Sequence, residues 1–150
     1  MAFTGNYVCD TFKTEILTGV HDFTETTGHT FKIALYTSSA TMTEATAAYS
    51  AANEIVFTGY TAGGAALSSN GVASGAVAGV IGKTAFVDFD NATWSGDFTG
   101  VRGALIYNSS VGGNPAVAVL DFGMDKASVA STFTVEFPTA DAASAIVRIA

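Results

Sequence analysis

Three glycines lie within six residues of the segment GYTAGGAAL, Gly59 to Leu67, directly after the strand-like run EIVFT. A glycine-rich loop behind a strand can cradle phosphate groups, because its backbone N–H groups can approach an anion closely. A P-loop also needs a Lys-Ser or Lys-Thr pair after its glycines, and a dinucleotide loop must lead into a helix. Here Ala65, Ala66 and Leu67 follow, and the chain runs into another turn. The stretch is therefore predicted to be a structural turn that lets backbone segments pack closely.

Three acidic residues have the chemistry of a cation site. Asp88, Asp90 and Asp97 flank a loop that contains Asn91, and hard oxygen ligands at this spacing could hold Ca²⁺. The EF-hand pattern is absent, and Asp88 and Asp90 share one strand face only if that strand is regular. Solvated carboxylates at strand ends are the favoured interpretation, and cation binding stays open.

The remaining metal-ligating residues are two histidines and one cysteine. His21 and His29 fit no zinc spacing with Cys9. Free imidazoles could act as a mild pH sensor, although nothing in the sequence selects that role. Serines and threonines are abundant, but none lies in a GxSxG elbow. Two acidic residues distant in the sequence could still meet in space as in a glycoside hydrolase, so a small hydrolase remains an alternative. The favoured expectation is a protein with no enzymatic activity, no cofactor and no metal.

The chain carries few charges. Only 13% of its 150 residues are charged, against about 25% in a typical domain, so Thr, Ser, Asn, Gly and Ala must form most of the surface. Such a surface suits a protein that packs against other proteins. The net charge is −7, and the basic residues that could bind a phosphate backbone are scattered singly, which argues against a nucleic-acid partner. They are Lys13, Lys32, Lys83, Arg102, Lys126 and Arg148.

Targeting signals are not evident in the sequence. The opening MAFTGNYVCDTFKTEIL has no charged region followed by an apolar one, so it predicts no signal peptide. The most apolar run, Gly71 to Gly82, is too short and too rich in glycine to span a bilayer. We therefore expect no membrane partner and synthesis in the cytoplasm.

Short strands dominate the predicted secondary structure. CDTFKTEILTG predicts one short helix with Asp10 as N-cap and Gly19 after its end. Apolar alternation then recurs about every ten residues, in TFKIALY, EIVFT, KTAFVDFD, ATWSGDF, VRGALIY, PAVAVLDF, STFTVEF and SAIVRIA. Asn70-Gly71 predicts a hairpin turn, and residues 41–54 could hold a second helical turn or a long polar loop. The pattern predicts a single mainly β domain over residues 1–150, an antiparallel β-sandwich or a jelly-roll-like barrel with one short N-terminal helix.

Two side chains stand out within the predicted strands. Arg102 lies among apolar residues, so its guanidinium faces solvent or pairs with Asp121 or Glu136 across the sheet. Trp94 is the only tryptophan, and it is either a core residue or an anchor in an interface, because tryptophan and arginine are enriched in binding hot spots.

The phrases VRGALIYNSS, AVAVLDFG and AIVRIA, together with the opening segment, FKIALYTSSA and GYTAGGAAL, resemble a group of small virion proteins of tailed bacteriophages. The likeness covers nearly the whole chain, in order, and concerns strand and turn phrases rather than catalytic motifs. It most suggests a capsid decoration, or cement, protein. Such a protein would bind the major capsid protein on the outer surface of the virion, and the symmetry of the shell would suggest a homo-oligomer, namely a trimer.

The resemblance also leaves an alternative open, a tail or fibre component with a receptor- or carbohydrate-binding β domain. Such a domain would expose aromatic side chains around a groove, with Tyr36, Tyr60, Trp94 and Tyr107 as candidates. For the decoration protein, residues 1–10 are predicted to be an extended docking arm, and the loops from Asn108 to Asn114 to be a second contact. The predicted interface residues are Phe3, Tyr7, Val8, Trp94, Arg102, Asn108 and Asn114.

Overall fold

The computed structural model describes residues 3–150, which form one short α-helix and ten β-strands. In chain order they are β1 (Tyr7–Val8), α1 (Asp10–Leu17), β2 (Phe31–Thr37), β3 (Ala65–Leu67), β4 (Ser69–Gly75), β5 (Thr84–Phe89), β6 (Ala92–Ser95), β7 (Phe98–Asn108), β8 (Ala116–Ser128), β9 (Thr132–Val135) and β10 (Val147–Ile149). The prediction of a mainly β fold with one short N-terminal helix is confirmed.

The strands form three antiparallel sheets in a sandwich-like arrangement. The largest has the order β1-β8-β7-β2-β3, the second the order β10-β5-β4, and the third pairs β6 with β9. Strand β2 lies between β7 and β3 in the large sheet, and both of its faces are covered, so Ile33 and Leu35 on one face and Ala34 and Tyr36 on the other are all buried.

Aromatic rings join the sheets across the core. The ring centroids of Phe31 in β2 and Phe89 in β5 lie 5.7 Å apart, and this contact links the large sheet to the three-stranded one. Phe98 of β7 packs edge-on against Phe133 of β9, with 5.3 Å between ring centroids. Such aromatic pairs stabilise a fold by about 0.5–1.5 kcal/mol beyond the area that they bury.

Helix α1 begins one residue earlier than the sequence suggests. Cys9, not Asp10, is the N-cap residue, and its side chain makes no capping hydrogen bond within the described part of the chain. The backbone N–H of Cys9 donates to the carbonyl of Val117 in β8, so the strand before the helix fixes where the helix starts. Gly19 follows the helix with a φ of +74°, as predicted for its end.

Asn70-Gly71 is not a hairpin turn. Both residues lie inside β4, and the pairing between β4 and β5 shifts register between Ser69 and Val72. Gly71 has a φ of +74° and donates its N–H to the Ser69 hydroxyl. The pair therefore forms a β-bulge. A glycine with positive φ permits this structure as well as a hairpin turn.

One further predicted strand is absent from the described part of the chain. EIVFT is not a strand, because only Glu54 makes an isolated bridge there, to Tyr36. Of the two alternatives for residues 41–54, a helical turn or a long loop, the loop is the one that forms, and Ala48 ties it to Pro115.

Candidate functional site

The glycine stretch lies against a carboxylate of its own chain. Glu54 Oε1 accepts a hydrogen bond from the Gly63 N–H at 2.8 Å and from the Tyr60 hydroxyl at 2.5 Å, while Oε2 accepts from the Tyr49 hydroxyl at 2.7 Å. The Tyr107 hydroxyl donates to the Gly63 carbonyl at 2.7 Å. The prediction of a structural turn is consistent with this arrangement, because the backbone groups that an anion would need are already used.

Burial changes the acidity of the tyrosines in this cluster. The pKa values of Tyr36, Tyr49, Tyr60 and Tyr107 are all raised, chiefly because burial disfavours the phenolate. For Tyr49 and Tyr60, the hydrogen bond to Glu54 raises the pKa further. These phenols therefore act as hydrogen-bond donors that hold the loop 41–64 onto β2 and β7.

A second polar cluster joins residues far apart in the sequence. The Asn108 amide nitrogen lies 3.2 Å from Nδ1 of His21 and 2.9 Å from Nδ1 of His29. His21 Nε2 lies 2.9 Å from the Glu15 carboxylate of α1. The ring centroids of His21 and Phe12 lie 4.9 Å apart, so the imidazole is buried against the helix.

An apolar surface lies between α1 and the three-stranded sheet, and we call it the apolar face. Val72, Val87 and Val147 stand directly opposite one another across β4, β5 and β10, so their side chains form one row. Ile149 continues the row at the end of β10, and Leu17 borders it from the helix. The full set of residues is Ile16, Leu17, Phe23, Val72, Ala85, Val87, Val147 and Ile149.

Large side chains on the apolar face remain exposed. Leu17 is 85% exposed, Val72 64% and Ile149 55%. Among the described strands, β10 pairs with β5 alone, so it is an edge strand. Two basic side chains border the surface: Lys13 forms an ion pair with Asp10 at 2.7 Å, and Arg148 donates to the Ala143 carbonyl. The surface thus combines exposed apolar area with an unpaired strand edge.

The predicted docking arm is folded onto the domain from residue 3 onward. Phe3 is buried against Gly103 of β7, and Tyr7 and Val8 form β1, which pairs with β8. Residues 1 and 2 lie outside the described residues. Phe3 is therefore unavailable to a neighbour in this conformation, whereas Tyr7 and Val8 are half-buried at the edge of the large sheet.

The other predicted interface residues are also distributed through the fold. Trp94 is a core residue, 6% exposed, and Asn108 is fully buried in the histidine cluster. Arg102 is half-buried, with Nε 3.2 Å from the Asp121 carboxylate, so the predicted pairing across the sheet is the one that forms. Asn114 is half-buried in the turn between β7 and β8, with a φ of +49°.

The aromatic residues of the alternative carbohydrate-binding groove do not form an exposed platform. Tyr36, Trp94 and Tyr107 are buried, and Tyr60 is half-buried with its hydroxyl donated to Glu54.

The three candidate cation ligands, Asp88, Asp90 and Asp97, differ in burial. Asp88 is buried, which contradicts the interpretation of a solvated carboxylate, whereas Asp90 and Asp97 are exposed. Asp97 accepts the Ala130 N–H at 2.6 Å. Residues 3–150 contain no group of three or more His, Cys, Asp or Glu side chains that could hold a metal ion.

No helix in the same range is long and apolar enough to cross a membrane.

Comparison of the chain with protein-family models, with curated proteins and with solved structures gives no match.

Sequence reasoning missed both polar clusters and the apolar face. His21 and Asn108 are separated by 87 positions, and the tyrosines around Glu54 come from three different segments. For the apolar face a signal was present, since alternation in AIVRIA places Val147 and Ile149 on one side of their strand.

Proposed function

We propose that this protein is a non-enzymatic structural protein of a tailed-phage virion. It binds the outside of the capsid shell and stabilises the contacts between copies of the major capsid protein. Two sequence properties support the proposal: the resemblance to small virion proteins and the low content of charged residues, 13%, which suits a surface that packs against other proteins.

The observation that carries the proposal is the apolar face. Leu17, Val72 and Ile149 expose more than half of their surface within one neighbourhood. Grouped exposed apolar side chains mark interaction sites, because leaving them in water costs about 25 cal/mol per Å². The free edge of β10 adds backbone donors and acceptors that can pair with an extended segment of a capsid subunit.

The proposed mechanism is additive. Each copy supplies a small apolar contact, and a homo-oligomer, here taken as a trimer, binds several capsid subunits at once. Multivalent attachment of this kind raises the effective concentration of each further contact, so modest individual interfaces give durable binding. The net charge of −7 favours docking on a basic protein surface.

The first test is the number of copies in purified virions. The stain intensity of this chain is compared with that of the major capsid protein on a denaturing gel. A ratio of one to one, or of one to a small integer, is expected for a decoration protein. A ratio corresponding to tens of copies or fewer would place the chain in the tail or at a single vertex and overturn the proposal.

The second test addresses the apolar face directly. Leu17→Glu and Ile149→Glu are added separately to shells that lack the protein, and binding is measured by co-sedimentation. Each substitution places a charge in the proposed contact, so we expect binding to fall at least about tenfold. Val129→Glu is the matched control, because Val129 is 74% exposed and lies between β8 and β9, away from this surface. Equal binding of all three variants would exclude this face as the docking surface.

A further inference from the structure

We propose that Asn108 and His29 form an acid-sensitive latch beside the anchored His21, which holds residues 22–29 on the end of β7 while the His29 imidazole is neutral and loosens them when His29 is protonated. The inference goes beyond capsid binding and concerns the free protein. It rests on the directions in which the hydrogen bonds of this cluster must run.

The orientation of the Asn108 amide is fixed by its neighbour. Asn108 Oδ1 lies 3.0 Å from the backbone nitrogen of Ser110, which can only donate. The amide oxygen must therefore face Ser110. The NH₂ group then faces both histidines, and it has one hydrogen for each Nδ1.

This orientation selects the tautomer of each imidazole. Nδ1 of His21 and Nδ1 of His29 must both be acceptors, so each neutral ring carries its proton on Nε2. For His21 this is consistent with Nε2 at 2.9 Å from the Glu15 carboxylate, to which it donates. For His29, Nδ1 faces a second donor, the backbone N–H of Asp22 at 3.4 Å.

Protonation affects the two rings differently. A proton on Nδ1 of His29 would face two donors, the Asn108 amide and the Asp22 N–H, and both hydrogen bonds would be lost. A proton on Nδ1 of His21 would lose one hydrogen bond but strengthen the pairing with Glu15. Protonation of His29 therefore breaks more of the contacts that hold the segment than protonation of His21 does.

The charged groups around the cluster come from two elements. Glu15 faces His21 from α1. On the segment of His29 itself, the Asp22 carboxylate accepts two hydrogen bonds from Thr24, and Glu25 lines the same cavity as His29. The side chains that β7 and β2 present to the rings, Asn108 and Phe31, are uncharged, as are the residues of β3 that line the cavity. The attraction of Asp22 and Glu25 for a protonated His29 opposes release only partly, because it does not restore the two lost hydrogen bonds.

Release of the latch would loosen one defined segment. His29 N–H donates to the Asp22 carbonyl and closes the loop 22–29, while Phe23 in the same loop stacks on Phe31 with 4.3 Å between centroids. Phe23 also lines the apolar face, so movement of this segment changes the shape of that surface. Thr30 stays attached, because its N–H donates to the Ser110 hydroxyl and its carbonyl accepts from Ser109.

The test combines ring NMR with amide hydrogen exchange on the free protein. Only two histidines are present, so their nitrogen resonances can be assigned with one substitution. At about pH 8 both rings are expected as the Nε2–H tautomer. Between about pH 8 and about pH 5, exchange of residues 22–29, corrected for intrinsic rates, should rise about three- to tenfold, as expected for the loss of two hydrogen bonds of modest net strength. Exchange in β7 and β8 should not change.

Two variants separate the latch from general acid sensitivity. His29→Gln keeps an acceptor for Asn108 but cannot be protonated, so residues 22–29 should lose their acid response. Asn108→Asp replaces the donor by an acceptor for imidazolium N–H groups, so acid should slow exchange instead. An Nδ1–H tautomer at about pH 8, an acid response that persists in His29→Gln, or a wild-type protein without any acid response would each overturn the proposal. Capsid binding plays no part in these measurements, so their failure would leave the proposed function untouched.

Discussion

The backbone N–H of Gly63 donates to Oε1 of Glu54 over 2.8 Å, so the glycine stretch binds a carboxylate that the chain itself supplies. Phosphate-binding loops present such N–H groups to an external anion. Here Tyr49 and Tyr60 donate to the same carboxylate, and the three donors enclose it. The arrangement fixes a long loop, residues 41–64, to the large sheet without a regular strand.

Removing the Glu54 carboxylate should destabilise the fold. Glu54→Ala leaves three donors without their acceptor, and we expect the free energy of unfolding to fall by about 2 kcal/mol. Glu54→Gln keeps one acceptor oxygen and should cost about 1 kcal/mol. Denaturant unfolding measures both values. Glu136→Ala, at an exposed position, is the control and should change stability by less than about 0.5 kcal/mol. A Glu54→Ala protein as stable as this control would show that the cluster contributes nothing.

Alkaline pH should unfold the protein through the same cluster. The pKa values of four of the five tyrosines are raised above 10.0 by burial, so the unfolded chain loses these protons at a lower pH than the folded chain. Their stabilising contribution is complete below about pH 10 and is lost as the pH rises further. Ultraviolet absorbance of tyrosinate and circular dichroism, followed together, should show the four phenols ionising in step with unfolding. Ionisation of all five near pH 10 in a folded protein would contradict this expectation.

Gly64 should tolerate no side chain. Its φ is +75°, and a Cβ would lie 1.9 Å from the carbonyl oxygen of Ile33 in β2. Gly64→Ala must therefore displace backbone, and we expect a loss of at least about 3 kcal/mol in denaturant unfolding. Gly113→Ala is the matched control, because Gly113 has a φ of +86° but no atom within 4 Å of its Cβ position. Gly113→Ala should lower the free energy of unfolding by only about 1 kcal/mol, because it adds backbone strain at a positive φ but no steric contact. Equal losses would mean that the contact with Ile33 is easily relieved.

Sequence patterns predict the long strands, whose apolar residues alternate or run continuously. The runs that became β2, β5, β7 and β8 alternate in apolar character or are apolar throughout, and burial on one or both faces follows from that pattern. Gly71 was misassigned because a positive φ serves a bulge as well as a hairpin turn. EIVFT alternates like a strand, with Ile55 buried and Val56 exposed, but it is a loop: the Ile55 N–H donates to the Leu35 carbonyl without forming a ladder.

The clusters could not be predicted, for a different reason. Asn108 follows an apolar strand and is a typical turn residue, and nothing local indicates that two imidazoles reach it from 79 and 87 positions away. Contacts of this separation depend on how β2 and β7 pair, and single-sequence patterns do not contain that register. The same limit applies to Asp88, whose burial results from the packing of β5 between β4 and β10.

Asp88 gives the last prediction, which concerns acid pH. Its Oδ1 accepts the Phe89 N–H at 2.9 Å, Oδ2 has no hydrogen-bond partner among residues 3–150, and burial raises the pKa of the carboxyl above 3.8. As the pH rises from about 4, the unfolded chain loses this proton before the folded chain does, so the free energy of unfolding falls until the folded group has also ionised. Asp88→Asn removes that fall and should raise stability at neutral pH by about 1 kcal/mol. Denaturant unfolding across this pH range measures the difference, with the exposed Asp90→Asn as control. Parallel profiles for wild type and Asp88→Asn would mean that the buried carboxyl is as well solvated as a surface one.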